Sequence, residues 1–142
     1  MKVSQILRTK GDLVFTAAPH ETVASICALL LAHKVGAMVI MDGDRVAGIV
    51  SERDVVRILA EEGPAALTAP VTRCMTHDVL FAGPDETVDS LLGRMTDRRI
   101  RHLPVCQAER LLGIVSIGDL VKSKISEVEA EADNLKAYIA AG

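Results

Sequence analysis

One motif is used twice in this chain, and its constant spacing limits the fold more than any other feature. Pro19-His20-Glu21-Thr22-Val23 returns as Pro84-Asp85-Glu86-Thr87-Val88, and Gly48-Ile49-Val50-Ser51 returns as Gly113-Ile114-Val115-Ser116, each 65 residues later. Val14, Ala17, Ser25 and Arg45 match Val79, Ala82, Ser90 and Arg110 at the same offset, as Asp54 and Val56 match Asp119 and Val121. No insertion interrupts either copy between these landmarks, so two copies of one supersecondary unit are expected. Two units are too few for a solenoid, which needs about three or more to bury a continuous core. A pair pressed together about a pseudo-two-fold axis, with matched clefts between the copies, is the expected solution.

Each copy reads as strand, helix, strand, strand, helix. Val23, Ile26, Cys27 and Leu30 fall at helical spacing within Thr22 to Lys34, and Gly36 is expected to end that helix. Ala37 to Met41 is a continuous apolar run. Asp42-Gly43-Asp44 then supplies hairpin-turn chemistry before Val46 to Val50. A helix from Glu52 to Glu61 closes the copy. In the second copy the helix is expected over Asp89 to Arg99, the strands over Leu103 to Cys106 and Leu111 to Val115, and a helix from near Ile117. The fold class is therefore mixed α/β (α+β), two β-α-β-β-α units plus a C-terminal helix. The expected divisions are 1–61, a linker 62–70 rich in breakers, 71–124, and a tail 125–142.

Composition agrees and excludes several functions. Hydrophobic residues make up 49% of the 142, yet aromatics only 2%, so the core must be aliphatic, as strands covered by helices require. The net charge of -3 leaves no basic surplus to neutralise phosphates along a nucleic acid. No apolar run approaches the roughly 18 residues that cross a bilayer, so no membrane partner and a cytoplasmic location are expected. Cys27, Cys74 and Cys106 are far apart and form no C-x-x-C pair, which argues against a disulfide framework or a zinc site. No nucleophile stands with a base, and no Gly-rich phosphate loop or metal-ligand cluster is visible, so the chain is not read as an enzyme.

Two places carry candidate chemistry. Ser51-Glu52-Arg53-Asp54 and Ser116-Ile117-Gly118-Asp119 are both S-x-x-D, the pattern of a helix capping box, each directly after a strand ending Gly-Ile-Val. Capping alone accounts for the pattern. At a strand-to-helix turn the hydroxyl and any free backbone N–H groups also form an anion site, and a carboxylate there can accept hydrogen bonds from a ribose diol. The second place is the cluster Arg98, Arg99, Arg101 and His102. Arg98 and Arg99 suit a solvated helix C-terminus, whereas Arg101 and His102 lead into an apolar strand. Gly36 and Ala37 occupy their positions in the first copy, and Gly118 replaces Arg53 in the second, so the two sites differ chemically.

The segments Gly-Ile-Val-Ser-x-x-Asp and Arg98-Arg99-Ile100-Arg101-His102-Leu103-Pro104-Val105 resemble the cystathionine β-synthase (CBS) domain signature. The resemblance spans roughly Val3 to Lys124 and both copies, and it implies a tandem pair, or Bateman module, of the stand-alone signal-transduction type. It further implies clefts for adenosine-containing ligands such as AMP, ADP, ATP, NAD or S-adenosylmethionine, with the Asp on ribose and the Ser, Arg101 and His102 near phosphate. It also implies a homodimer that regulates a separate protein. Ser116, Asp119, Arg101 and His102 are expected to form one cleft, with small Gly36 and Ala37 opposite leaving space for a base. Ser51, Arg53 and Asp54 are expected to form the other. Val14 and Val79, taken as lying on the first strands, either flank the adenine or pack in the core. A ligand of about 23 heavy atoms at roughly 0.3 kcal/mol each would bind with a dissociation constant on the order of 10 μM.

From Ile125 onward, Ile125, Val128, Ala132, Leu135 and Ile139 are spaced by threes and fours, a heptad seam. Two turns of heptad are too short to hold a coiled coil alone, so the seam is expected to pack on its own chain or on a partner subunit. Two rivals to nucleotide sensing remain. One is a ligand-free dimeric interaction adaptor, and the other is a redox sensor that uses the three thiols.

Overall fold

The structure, a computed structural model, describes residues 1–11 and 14–142. Its elements run α1 (Val3–Lys10), β1 (Thr16–Ala17), α2 (Val23–His33), β2 (Ala37–Asp42), β3 (Arg45–Ser51), α3 (Glu52–Glu62), α4 (Val88–Arg98), β4 (His102–Gln107), β5 (Arg110–Ser116) and α5 (Ile117–Ala141). Short 3₁₀ turns at Gly63–Thr68 and Val71–Arg73 fill the expected linker and the start of the second copy. The mixed α/β class holds. The helix α1 is an element that the repeat does not announce.

The chain divides into two compact units, and their membership crosses the order of the repeats. One unit contains Met1–Asp12, Phe81–Gln107 and Leu112–Gly142; the other contains Leu13–Leu80 with Ala108–Leu111. We call them the α1 unit and the β1 unit. Each takes its leading segment from the other copy. In the α1 unit Val3 donates its N–H to the Glu86 carbonyl and Val88 donates to the Met1 carbonyl, both at 2.9 Å. The β1 unit repeats this pair of bonds, with Val71 donating to Glu21 at 2.7 Å and Val23 to Ala69 at 2.9 Å. Backbone groups that would otherwise be orphaned near the starts of α2 and α4 are satisfied in the same way in both units.

In the β1 unit, β1 pairs in parallel with β2, and β2 pairs antiparallel with β3. The register shifts between Ile40 and Met41, where Ala47 is the additional residue on β3. In the α1 unit β4 and β5 form a two-stranded sheet, and Ala82 adds only an isolated parallel bridge to Val105. The first strand of each copy is therefore short. Val14 precedes β1, and Val79 lies in irregular chain, so neither occupies the strand expected for it.

The two cores use equivalent positions. Val23, Ile26, Leu30, Met38, Ile40, Val50 and Val55 are buried in the β1 unit, and Val88, Leu91, Met95, Leu103, Val105, Val115 and Leu120, each 65 residues on, are buried in the α1 unit. Leu7 and Met75 complete these cores from the exchanged segments. Thr22 and Thr87 cap α2 and α4 by accepting from the Ser25 and Ser90 N–H groups. These helices end at Lys34 and Arg99, both left-handed at φ 55°, so the stop expected at Gly36 falls two residues earlier. The first hairpin turns through Gly43 at φ 62°, whereas the second places Ala108 and Glu109 at positive φ. Beyond Gly118 in its first turn α5 holds no Gly or Pro, so the helix expected near Ile117 and the tail from Ile125 are one helix of 25 residues.

Gly48 and Gly113 mark the closest approaches. A Cβ on Gly48 would lie 2.7 Å from Met75 Sδ and 2.8 Å from the Thr76 carbonyl oxygen, whereas one on Gly113 would meet only the Leu7 side chain, 2.7 Å from Cδ2. A side-chain tip can swing aside; a backbone carbonyl paired with Ile49 cannot. Gly48→Ala is expected to destabilise by about 1–3 kcal/mol and Gly113→Ala by less than about 1 kcal/mol. Urea denaturation of the two variants checks this, and equal costs would contradict it.

Candidate functional site

Both S-x-x-D motifs form complete capping boxes. At α5 the Ser116 N–H donates to Asp119 Oδ2 at 2.8 Å, and the Asp119 N–H donates to Ser116 Oγ at 3.1 Å. At α3 the Ser51 N–H and Oγ both donate to Asp54 Oδ2, at 2.9 and 3.1 Å, and the Asp54 N–H donates to Ser51 Oγ at 3.3 Å. The first helical N–H is also engaged in each copy. Ile117 donates to the Arg101 carbonyl at 2.8 Å, and Glu52 donates to the Gly36 carbonyl at 3.0 Å. The free N–H groups expected at these turns are thus largely satisfied by the protein itself, so the anion-binding reading passes from the backbone to side chains.

The two carboxylates then diverge. Asp54 is buried, its side chain only 9% exposed, and its Oδ1 accepts from Arg57 Nη2 at 3.1 Å. The same Nη2 reaches the Cys74 carbonyl at 3.0 Å. Both Asp54 oxygens are thereby committed within the β1 unit. The Asp119 side chain is 26% exposed, and its Oδ2 accepts from Lys10 Nζ at 2.7 Å. Lys10 Nζ also donates to the Ile114 carbonyl at 2.9 Å. No described residue donates to Asp119 Oδ1, which leaves a half-exposed acceptor of the kind a diol uses.

The remaining candidates fall within these units. Arg101 is exposed beside the start of β4 and makes no ion pair with a described residue, and His102 is half-buried as the first residue of that strand. Arg98 and Arg99 are exposed at the end of α4, consistent with solvated cations at a helix C-terminus. In the β1 unit Arg53 is exposed on α3, Ala37 is buried at the head of β2, and Val14 and Val79 are half-buried. Gly36 lines an apolar groove of about 450 Å³ with Cys27, Leu31, Val35 and Val56. Ser116, Asp119, Arg101 and His102 therefore share the α1 unit, and Ser51, Arg53, Asp54, Gly36, Ala37, Val14 and Val79 share the β1 unit.

Sequence reasoning missed two cations. Arg57 had a readable signal, since it follows Asp54 by three residues on one helix, the spacing at which side chains meet. Lys10 had none, because 109 residues separate it from Asp119. Among the described residues no group of three or more His, Cys, Asp or Glu side chains is placed to hold a metal ion, and no helix is long and apolar enough to cross a membrane. The three cysteines are free. Burial pushes the Cys74 thiol up, helped by Asp54, and burial alone pushes Cys106 up, which disfavours the thiolate a redox sensor needs.

Burial alone would raise the Asp119 carboxyl, but the Lys10 hydrogen bond, the Ser116 N–H and the Lys10 charge outweigh it and hold it below its ordinary value. A carboxyl depressed on folding adds stability above its unfolded value of about 4, and that stability is lost as pH falls through the folded value. Lys10→Met is therefore expected to melt below the parent at pH 7, with the gap closing toward pH 3. Thermal melts across that range check it; a gap that does not depend on pH would refute the assignment.

Comparison with known proteins places these geometries in a family context. The family model for the CBS domain matches residues 3–61 and 71–126. The mitochondrial CBS domain-containing protein CBSX3 of Arabidopsis thaliana is 31% identical over 99% of this chain and 72% of its own. The crystal structure of the CBS-domain containing protein ATU1752 from Agrobacterium tumefaciens superposes with a TM-score of 0.86 at 40% identity, covering 87% of this chain and 99% of that one. The CBS domain pair of protein MJ0100, in complex with 5'-methylthioadenosine and S-adenosyl-L-methionine, gives a TM-score of 0.77 at 25% identity over 86% and 98% of the two chains.

Proposed function

The chain belongs to the CBS-domain family, with two copies of the domain in tandem, and on that premise we propose that it is a regulatory module that binds an adenosine-containing ligand and signals to a separate protein. The observation that carries the reading is the difference between the two capping carboxylates. Asp54 is buried with both oxygens committed, whereas Asp119 Oδ1 has no donor among the described residues and a quarter of the Asp119 side chain is exposed. In this reading Asp119 accepts the ribose hydroxyls. Arg101 and His102, in the same unit, face the phosphate of AMP, ADP, ATP or NAD. Ligand seen on the related MJ0100 pair supports the adenosine class. The free thiols fit a cytoplasmic setting.

The α1-unit site is the principal one, and Ser51, Arg53 and Asp54 serve mainly to cap and brace α3. Asp119→Ala is expected to weaken AMP binding at least tenfold, because a diol would lose its charged acceptor. Asp54→Ala is expected to lower the melting temperature while leaving AMP affinity within about threefold. Calorimetry with AMP decides it. An Asp119→Ala variant that binds as tightly as the parent would remove the site, and a parent that binds no adenosine compound would remove the function.

One observation favours a dimeric adaptor as the second reading. Ile125, Val128, Leu135 and Ile139 are 50–67% exposed along α5, so the seam expected to be covered is uncovered in the single chain. In a parallel pair of α5 helices the flanking positions would place Lys124 near the partner copy's acidic side of the seam and Glu131 near its basic side, since Glu129 and Lys136 lie five residues further on. A homodimer joined there can act with or without a ligand. The double substitution Val128→Asp, Leu135→Asp is expected to convert a dimer to monomer in analytical ultracentrifugation; an unchanged sedimentation coefficient would exclude the seam as the contact.

A further inference from the structure

We propose that Lys10 sets the charge class of the ligand, so that the Asp119 site accepts phosphorylated adenosines and rejects cationic S-adenosyl compounds. The inference rests on Asp119 being the ribose acceptor proposed above. A solitary carboxylate favours a cation beside it, and a sulfonium-bearing ligand would gain from that attraction. Here the carboxylate is already neutralised by the ammonium 2.7 Å away. That ammonium is held firmly. Its second acceptor is the Ile114 carbonyl at 2.9 Å, and the helix that carries it is anchored by Val3 and Ser4 N–H bonds to Glu86 and Pro84 and by the buried Val3, Ile6 and Leu7.

An ammonium has three N–H donors. Asp119 and Ile114 take two, and the third has no acceptor among the described residues, so it is available to a ligand oxygen. Arg101 adds a further charge: it is exposed, forms no ion pair with a described residue, and its carbonyl lies 2.8 Å from the Ile117 N–H at the start of α5. With Asp119 cancelled by Lys10, Arg101 is a further cation of the same unit, carried by the backbone that meets the start of α5. Among the described residues of the β1 unit no lysine reaches the capping carboxylate from the exchanged segment; Arg57 of the same helix pairs with Asp54 instead. In that unit Ile49 exchanges two backbone hydrogen bonds with Thr76 at the position where Ile114 receives the Lys10 side chain, and Gly36 and Ala37 stand where Arg101 and His102 would be. Support for the strand therefore does not require a charged residue, and the charge of Lys10 is available for selection.

Calorimetric titration of the parent, Lys10→Met and Lys10→Arg with AMP, adenosine and S-adenosylmethionine tests this, with Lys10→Gln as a second neutral variant should the methionine protein lose its fold. The parent is expected to bind AMP at least tenfold tighter than adenosine. The neutral variants are expected to lose at least fivefold of that ratio and to bind S-adenosylmethionine tighter than the parent does, and Lys10→Arg is expected to restore the preference. An unchanged ratio in the neutral variants overturns the proposal, as does a uniform tightening toward all three compounds, which would make Lys10 a competitor for Asp119. A parent that binds none of the three overturns the adenosine reading as well, whereas one that binds AMP and adenosine equally overturns only the role of Lys10.

Discussion

Everything in this molecule depends on each repeat lending its leading segment to the unit built around the other. Gly48 and Gly113 have no side chain because Met75 and Leu7, delivered from the exchanged segments, occupy the space a Cβ would need. The paired hydrogen bonds from Val3 and Val88, and from Val71 and Val23, fix those segments in matching register. A single copy would leave a glycine-lined hollow over its hairpin and unpaired backbone at the start of its first long helix. Both carry a free-energy penalty in a small aliphatic core, where lost contacts and unsatisfied polar groups weigh heavily. The exchange is thus what makes a duplicated fragment foldable.

The same exchange brings Lys10 to Asp119. The α1 helix arrives to cover Gly113 with Leu7, and three residues further along the same helix Lys10 reaches both the Ile114 carbonyl and the capping carboxylate. Its counterpart segment reaches Ile49 with backbone at Thr76, and Asp54 is paired instead by a residue of its own helix, Arg57. One architectural rule, applied to two sequences that differ at a few positions, produces one sealed carboxylate and one accessible carboxylate. The asymmetry of the sites arises in the exchanged segments as much as in the motifs themselves.

This explains which parts could be read from the sequence. The core positions were legible because burial repeats every 65 residues, and hydrophobic identity at those positions is dictated locally by helix and strand periods. The capping boxes were legible because Ser and Asp three residues apart interact within one turn. Lys10 was not, since nothing local distinguishes it from any other lysine at a helix end. Nor was the end of α2, where Lys34 takes a left-handed conformation that sequence patterns assign to glycine. The first strands were overestimated for a related reason: β1 has two residues, and its pairing with β2 is set by tertiary context rather than by alternation.

A sensor of the kind proposed would gain from such a division. A carboxylate whose oxygens are both satisfied by its own unit contributes to stability and has little to offer a ligand, because binding would have to displace bonds of similar strength. A carboxylate with one oxygen unengaged can receive a ligand without that loss, and the lysine beside it keeps the local charge balanced when the site is empty. Duplication followed by divergence of the lent segments lets one S-x-x-D turn serve as scaffold while the other remains open to solvent. A ligand can shift only those states that it contacts differently, and with Asp119 as the proposed ribose acceptor the element that would feel it is α1, whose Lys10 bonds the same carboxylate.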